Sequence, residues 1–154
     1  YGVSKVAQDL LGWQYHANHG LRCIRARIFN CTGPRKRNDV VSDFGRAVVR
    51  GLHQDLPIRH GNLQTRRAII DVRDMVAALI ALARNGRAGE AYNICAESAI
   101  KVADLLEMYF DIAGRRLETE VDPALLRPSD EPIIFGDISK IKQDTGWAPR
   151  ISLR

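Results

Sequence analysis

The sequence predicts an α/β fold with a mainly parallel sheet, because segments typical of helices alternate with segments typical of strands. Four segments repeat apolar residues at helical spacing: 3–19, 41–53, 72–85 and 103–113. Segments typical of strands or extended chain lie between or after them: 21–29, 57–62, 66–71, 91–95 and 117–121. This alternation is typical of parallel strands joined by helical connections.

The predicted elements end at residues that usually terminate them. Glycines follow three of the helices: Gly20, Gly86 and Gly114. Asp71 precedes the third helix as an N-cap. Two prolines remove backbone donors from segment 126–132, so we expect a stiff, charged loop there. A short helix is predicted over residues 137–142.

The composition is that of an ordinary globular domain. Of the 154 residues, 45% are hydrophobic and 27% are charged, which allows one sizeable core. The longest apolar run, 75–83, is far shorter than the ~20 residues that a membrane span needs. The three cysteines are odd in number and lack CxxC spacing. We therefore predict core thiols in a reducing cytoplasm, without a disulfide or a bound metal.

The charge is positive and comes mostly from arginine. The net charge is +5, and arginine outnumbers lysine 18 to 5. Because guanidinium groups pair bidentately with phosphate oxygens, an anionic ligand is plausible, although an arginine-rich solvated surface would explain the same bias. The basic residues are scattered and aromatic residues make up only 6%, which argues against nucleic-acid binding.

The first predicted helix opens with a tyrosine and a lysine four positions apart. Tyr1 and Lys5 are therefore expected on the same helical face. A nearby ammonium favours the phenolate form of a tyrosine, whose free pKa is about 10, and so suits proton transfer to or from a sugar oxygen. An ordinary amphipathic helix with an incidental tyrosine and lysine is the competing interpretation.

Several short motifs follow one another along nearly the whole chain. They are YGVSK at 1–5, RIFN at 27–30, TGP at 32–34, GNL at 61–63, DVRD at 71–74, YNI at 92–94, RPSD at 127–130, GD at 136–137 and TGWAP at 145–149. Their order and spacing resemble the C-terminal half of an extended short-chain dehydrogenase/reductase, the superfamily of nucleotide-sugar epimerases, dehydratases and reductases. The resemblance implies the last strands and helices of a Rossmann-like domain together with a small α/β substrate-binding domain.

Within this superfamily the chain resembles the enzymes that act on GDP-mannose and its 4-keto-6-deoxy product. The phrase FNCTGP at 29–34 is closer to the reductases, since the dehydratases carry Glu-Ser where this chain has Thr32-Gly33. The resemblance implies reduction of a C4 keto group in GDP-4-keto-6-deoxy-mannose, with GDP-mannose 4,6-dehydratase as the alternative. A non-catalytic module that binds nucleotide sugars is a hypothesis of another class.

The resemblance also implies roles in catalysis and cofactor binding. Tyr1 would be the acid/base at the 4-position of the sugar, next to the nicotinamide. Lys5 would bind the nicotinamide ribose and keep Tyr1 easy to ionise. The backbone of Phe29 would contact the nicotinamide end of the cofactor, which would be NADP or NAD.

Five further residues match substrate-binding positions of the family. Asn30 would hold the substrate where the phosphate joins the sugar. The remaining four would grip the diphosphate and its sugar or base: Arg46, Arg67, Arg127 and Asp130. Two departures from the family pattern are Ala68, where an aspartate is usual and could orient Arg67, and Cys31, where histidine is common.

The resemblance further implies that this sequence is a piece of a protein about twice as long, without the N-terminal dinucleotide-binding half and its glycine-rich loop. Residues 1–33 and 66–95 would then belong to the cofactor domain, and 34–65 and 96–154 to the substrate-binding part. We expect the intact protein to form a homodimer through its first predicted helix, and the isolated chain to be inactive.

Overall fold

The computed structural model describes residues 1–153, which contain five α-helices and nine short strands. The helices are α1 (Gly2–His19), α2 (Val40–Gln54), α3 (Val72–Asn85), α4 (Val102–Ala113) and α5 (Ser139–Thr145). The strands are β1 (Arg25–Ile28), β2 (Asn30–Thr32), β3 (Ile58–His60), β4 (Arg66–Arg67), β5 (Ile69–Asp71), β6 (Ala91–Ile94), β7 (Ile100–Lys101), β8 (Thr119–Val121) and β9 (Ile133–Ile134). A single 3₁₀ turn covers Pro123–Leu125 within this described range.

The strand pairing is mainly parallel, which confirms the predicted α/β fold. β1 pairs with β6, β2 with β5, β3 with β8 and β4 with β9 in parallel register, whereas β7 runs antiparallel to β4. The strands are distributed among four small sheets, because consecutive strands such as β4 and β5 pair with different partners.

The predicted strand over 21–29 is shorter than the sequence suggested. It begins only at Arg25, because the Cys23 N–H donates to the Leu21 carbonyl oxygen at 2.8 Å in a preceding turn. After Ile28 the backbone N–H of Phe29 still bonds to β6, and the chain then continues as β2 beside β5. Residues 30–32, which follow the predicted strand and were expected to form a loop, are therefore a second short strand.

The helix ends follow the capping residues that the sequence suggested. Gly20 and Gly114 have φ angles of 66° and 64°, which favour glycine because a Cβ atom is strained there. The carboxylate of Asp71 accepts a hydrogen bond from the Arg73 N–H at the start of α3. Asp39 caps α2 in the same way through the N–H of Ser42.

The apolar side chains form two separate cores. The first core contains Ala68, Ile70, Ala78, Leu82, Tyr92, Ile94, Cys95, Ile138, Ile141 and Trp147. The second core contains Phe44, Val48, Ile58, Ile69, Val102, Leu105, Leu106, Phe110 and Leu117. The neighbouring residues Ile69 and Ile70 belong to different cores, so β5 lies between them. The predicted division into a cofactor domain (1–33 and 66–95) and a substrate-binding part (34–65 and 96–154) stays a prediction. Ile141 of α5, which that division assigns to the substrate-binding part, lies in the first core with residues of 66–95.

Helix α1 contributes no buried residue, although it carries several apolar side chains. Leu10, Leu11 and Trp13 are each more than half exposed. The helix is held to β1 by Asp9, which accepts hydrogen bonds from the guanidinium groups of Arg25 and Arg27 at 2.8–2.9 Å. None of the described helices is long and apolar enough to cross a membrane.

The three cysteines are free thiols, but only one lies fully in a core. Cys95 is buried in the first core, whereas Cys23 and Cys31 are half-buried. Within residues 1–153 no cluster of three or more histidine, cysteine or acidic residues could hold a metal ion.

Candidate active site

An open cleft of about 1180 Å³ is lined by residues of both cores and by Tyr1, which precedes α1. Its walls come from the β1–β2 junction, the beginning of α2, the segment from β3 to β5 and residues 125–134. Phe29 and Cys31 pack against the first core, while Phe44 and Val102 belong to the second. The cleft exceeds a typical site for a drug-sized ligand, which suits a larger molecule.

Six of the eight predicted site residues line this cleft: Tyr1, Phe29, Asn30, Arg67, Arg127 and Asp130. Lys5 and Arg46 are not among the lining residues. The side chain of Arg46 instead pairs with Asp43, three positions earlier on α2, and Asp43 itself lines the cleft. A role for Arg46 in substrate binding stays a prediction.

The first turn of α1 holds Lys5 next to Tyr1. The Lys5 ammonium is 5.4 Å from the centroid of the Tyr1 ring, within the range of a cation–π contact. It also donates to the side-chain oxygen of Gln8 at 3.2 Å. Tyr1 itself lines the cleft.

Phe29 and Asn30 lie where the chain passes from β1 to β2. The Phe29 N–H donates to the Ile94 carbonyl oxygen at 3.0 Å, which fixes the backbone at this point. Its ring lies against Gly136, where a Cβ atom would come within 2.5 Å of the ring. Asn30 is paired in register with Ile69 of β5, and its exposed side chain lines the cleft.

Arg67 is held by three acceptors at the edge of the cleft. Its guanidinium donates to Asp130 at 2.8 Å, to the Glu131 carbonyl oxygen at 2.8 Å and to its own preceding carbonyl at 2.9 Å. The paired side chains of Arg67 and Asp130 are only 12% and 22% exposed. Although an aspartate at 68 is absent, Asp130 orients this arginine, and Ala68 is buried in the first core.

Two cations in the cleft have no ion-pair partner among residues 1–153: Lys36 and Arg127. Lys36 lies in a loop where Arg35 and Asn38 have φ angles of 69° and 60°, an uncommon conformation that often occurs at functional sites. Unpaired cations facing a cleft are available to an anionic ligand.

The cleft also contains residues that the sequence did not single out as ligands. Lys36 and Cys31 line the cleft but were not proposed as ligands. Burial raises the pKa of the Cys31 thiol, and the positive charge of Lys36 opposes that rise. His60 was also missed. The signal that could have found it is a histidine at the end of a short strand, two positions after the apolar Ile58 and on the same face.

Comparisons with known proteins agree with this arrangement. The sequence profile of the family described as GDP-mannose 4,6 dehydratase matches residues 1–154. GDP-6-deoxy-D-mannose reductase of Pseudomonas aeruginosa is 32% identical over 158 residues, which cover 100% of this chain and 52% of the reductase. The chain therefore spans about half the length of this curated relative.

Two solved structures extend the comparison to the fold. RMD from Pseudomonas aeruginosa, complexed with NADPH, matches with a TM-score of 0.89 and 31% identity over 99% of this chain and 51% of that one. UDP-glucose 4-epimerase from Thermotoga maritima, with UDP-glucose, matches with a TM-score of 0.89 and 26% identity over 99% of this chain and 49% of its own.

Proposed function

Since this chain belongs to the GDP-mannose 4,6-dehydratase family of extended short-chain dehydrogenases/reductases, we propose that the protein carrying it is a nucleotide-sugar oxidoreductase. Its reaction is the reduction of the C4 keto group of GDP-4-keto-6-deoxy-mannose. One observation carries the proposal: Tyr1 lines the same cleft as Asn30, Arg67 and Arg127. A proton donor, an amide and two guanidinium groups thus share one cleft.

The cofactor is NADP, with NAD as the alternative. This choice is supported by the NADPH bound to a solved relative that is 31% identical. The residues present fit the nicotinamide end, because Lys5 carries three N–H donors that suit ribose hydroxyls and the Phe29 backbone directly follows β1 at the cleft. When bound, the reduced nicotinamide supplies the hydride.

Proton transfer is the task of Tyr1. Its hydroxyl donates the proton to the C4 oxygen as that oxygen becomes an alkoxide, and the product is an alcohol. The Lys5 ammonium lies 5.4 Å from the centre of that ring, so a positive charge is close to the phenolate that remains.

Substrate binding is assigned to the cations and amide of the cleft. Arg127 and Lys36 bind the diphosphate, since neither has a competing carboxylate in the described part of the chain. Arg67, fixed by Asp130, keeps the segment that carries Arg127 in place. Arg46 would have to leave Asp43 before it could contact the substrate.

Dehydration of GDP-mannose is the second candidate, because the matched family profile bears that description. In that reaction Tyr1 removes the 4-hydroxyl proton, and hydride leaves for the oxidised cofactor and returns at C6 after water is eliminated. Elimination also needs an acid/base carboxylate. Of the four acidic residues that line the cleft, Asp39 caps a helix, Asp43 pairs with Arg46 and Asp130 pairs with Arg67. The Glu131 carboxylate pairs with no cation in residues 1–153, so it is the one that remains available for this role.

An assay with purified full-length protein separates these activities. Consumption of NADPH is followed with GDP-4-keto-6-deoxy-mannose as substrate, and formation of a 4-keto sugar is followed with GDP-mannose alone. We expect NADPH consumption in the first reaction and no product in the second. The reverse result would establish the dehydratase, and GDP binding without either reaction would leave a non-catalytic binding module.

A further inference from the structure

His60 is a buried polar residue at the wall of the cleft. It ends β3, where side chains alternate between faces, and shares its face with the buried Ile58. His60 is only 8% exposed, yet it is one of the residues that line the cleft. A buried polar ring is costly unless its nitrogen atoms have partners or reach solvent, and in residues 1–153 no atom of His60 is both fully buried and without a partner.

One ring nitrogen of His60 has a partner within the protein. Nδ1 is 2.8 Å from the carbonyl oxygen of Gly61. Since a carbonyl oxygen can only accept, Nδ1 carries the proton, and in the neutral imidazole Nε2 is then an acceptor. No group in residues 1–153 bonds to Nε2.

The backbone around His60 is fixed on both sides. The carbonyl oxygen of His60 accepts a hydrogen bond from the Asp122 N–H at 2.9 Å. At Gly61 a Cβ atom would come within 2.5 Å of the Leu125 carbonyl oxygen, so the 3₁₀ turn packs directly on this glycine. The fixed backbone and the Nδ1 bond together restrict the imidazole ring. Less conformational entropy is therefore lost when Nε2 binds a ligand.

We propose that Nε2 of His60 accepts a hydrogen bond from an N–H or O–H group in the nucleoside part of the substrate. This inference rests on the proposed function and assigns a residue that recognises the nucleoside. The ionised diphosphate offers only acceptor oxygens, which match Lys36 and Arg127 and would be repelled by a lone pair. The ribose and the base are the parts that offer donors.

Calorimetric titration of GDP and of inorganic pyrophosphate tests this assignment with two variants of the full protein. His60→Asn keeps a donor near Nδ1 for the Gly61 carbonyl but removes the acceptor, and His60→Gln keeps an acceptor near the position of Nε2. We expect His60→Asn to weaken GDP binding about tenfold and His60→Gln to recover most of it. Pyrophosphate affinity should not change in either variant.

His53→Leu is the matched control, because His53 lies in the last turn of α2 and does not line the cleft. If His60→Asn binds GDP as tightly as the unmodified protein, the inference is wrong and the proposed function stands. If GDP and pyrophosphate weaken together, the ring acts on the diphosphate or on folding, and the inference is again wrong. If the unmodified protein binds no nucleotide, the proposed function itself fails.

Discussion

Asp130 and Arg67, 63 residues apart in sequence, form a 2.8 Å ion pair that closes one edge of the cleft. The segment that contains Asp130 is interrupted by prolines and cannot form regular hydrogen bonds of its own. Its ties to β4 are this ion pair, the Arg67 bond to the Glu131 carbonyl and the bond from the Arg66 N–H to the Pro132 carbonyl at 2.8 Å. Arg127 is therefore positioned indirectly, by its neighbours.

Replacing Asp130 with asparagine should loosen this tie. We expect Asp130→Asn to lower the free energy of unfolding by about 2 kcal/mol, because a largely buried, charge-assisted hydrogen bond is lost. Urea denaturation measures the change. Glu107→Gln is the control, since the ion pair of Glu107 with Arg116 is much more exposed and should contribute less than about 1 kcal/mol. Equal effects of the two substitutions would contradict the proposed role of Asp130.

The sequence could predict those features of the fold and site that depend on local spacing. The four long helices follow from apolar periodicity, and the closeness of Tyr1 and Lys5 follows from their separation by one helical turn. That Arg67 and Asp130 belong to one site could be predicted only from the family resemblance, because no local sequence pattern connects residues 63 positions apart.

Other features could not be predicted, because they depend on tertiary contacts. The two-residue strands β7 and β9 are too short for a periodic pattern and exist because β4 lies between them. The pairing of Arg46 with Asp43 competes with the substrate role that the resemblance implied. His60 gains its place in the cleft from the packing of Leu125 on Gly61.

Gly136 is predicted to be intolerant of a side chain. Its backbone does not require glycine, but a Cβ atom would come within 2.5 Å of the Phe29 ring, so the ring would have to move. Gly136→Ala should destabilise the protein by about 1–3 kcal/mol and weaken NADPH binding, since Phe29 borders the proposed cofactor position. Thermal unfolding and fluorescence titration with NADPH measure these effects. Gly2→Ala, with no atom within 4 Å of the added carbon, should not destabilise the fold.

Asp9 should contribute stability that depends on pH. Hydrogen bonds from Arg27 hold the pKa of the Asp9 carboxyl below its usual value, with further help from the charges of Arg27 and Arg25 and against the effect of burial. A carboxyl with a lowered pKa in the folded state stabilises the protein above its unfolded pKa of about 3.9 and loses this contribution as pH falls through the folded value.

The unfolding free energies of the unmodified protein and Asp9→Asn should therefore differ by a constant amount near neutral pH. The difference should shrink below about pH 4, as the carboxyl becomes protonated in the folded protein. Urea denaturation across this pH range provides the measurement. A difference that persisted unchanged at the acid end would show that Asp9 acts through packing and not through its charge.

Tyr1→Phe should abolish proton transfer without disturbing substrate binding. We expect turnover to fall by roughly 10²–10⁴, the usual contribution of a positioned general acid, while GDP affinity stays within about twofold. Steady-state kinetics and calorimetry provide the two measurements. Tyr15→Phe is the matched control on the same helix, because Tyr15 contacts His19 and does not line the cleft. A similar loss of turnover in Tyr1→Phe and Tyr15→Phe would show that the substitutions disturb helix α1 and not proton transfer.

Replacing Arg127 should lower the affinity for GDP without lowering the free energy of unfolding, in contrast to replacing Asp130. Arg127 lines the cleft, and no carboxylate in residues 1–153 pairs with it, so its removal breaks no internal contact. We expect Arg127→Gln to weaken GDP binding roughly tenfold and to leave the unfolding free energy unchanged. Arg127→Lys should recover only part of the affinity, because an ammonium cannot form the bidentate contact of a guanidinium with phosphate.

Arg50→Gln provides the matched loss of charge outside the cleft, on α2. If GDP affinity falls equally in Arg127→Gln and Arg50→Gln, the effect is one of net charge, and it should then disappear as salt is raised, since screening weakens exposed charges at long range. A direct contact should retain most of its effect at high salt. The salt dependence of the two variants therefore decides whether Arg127 touches the diphosphate.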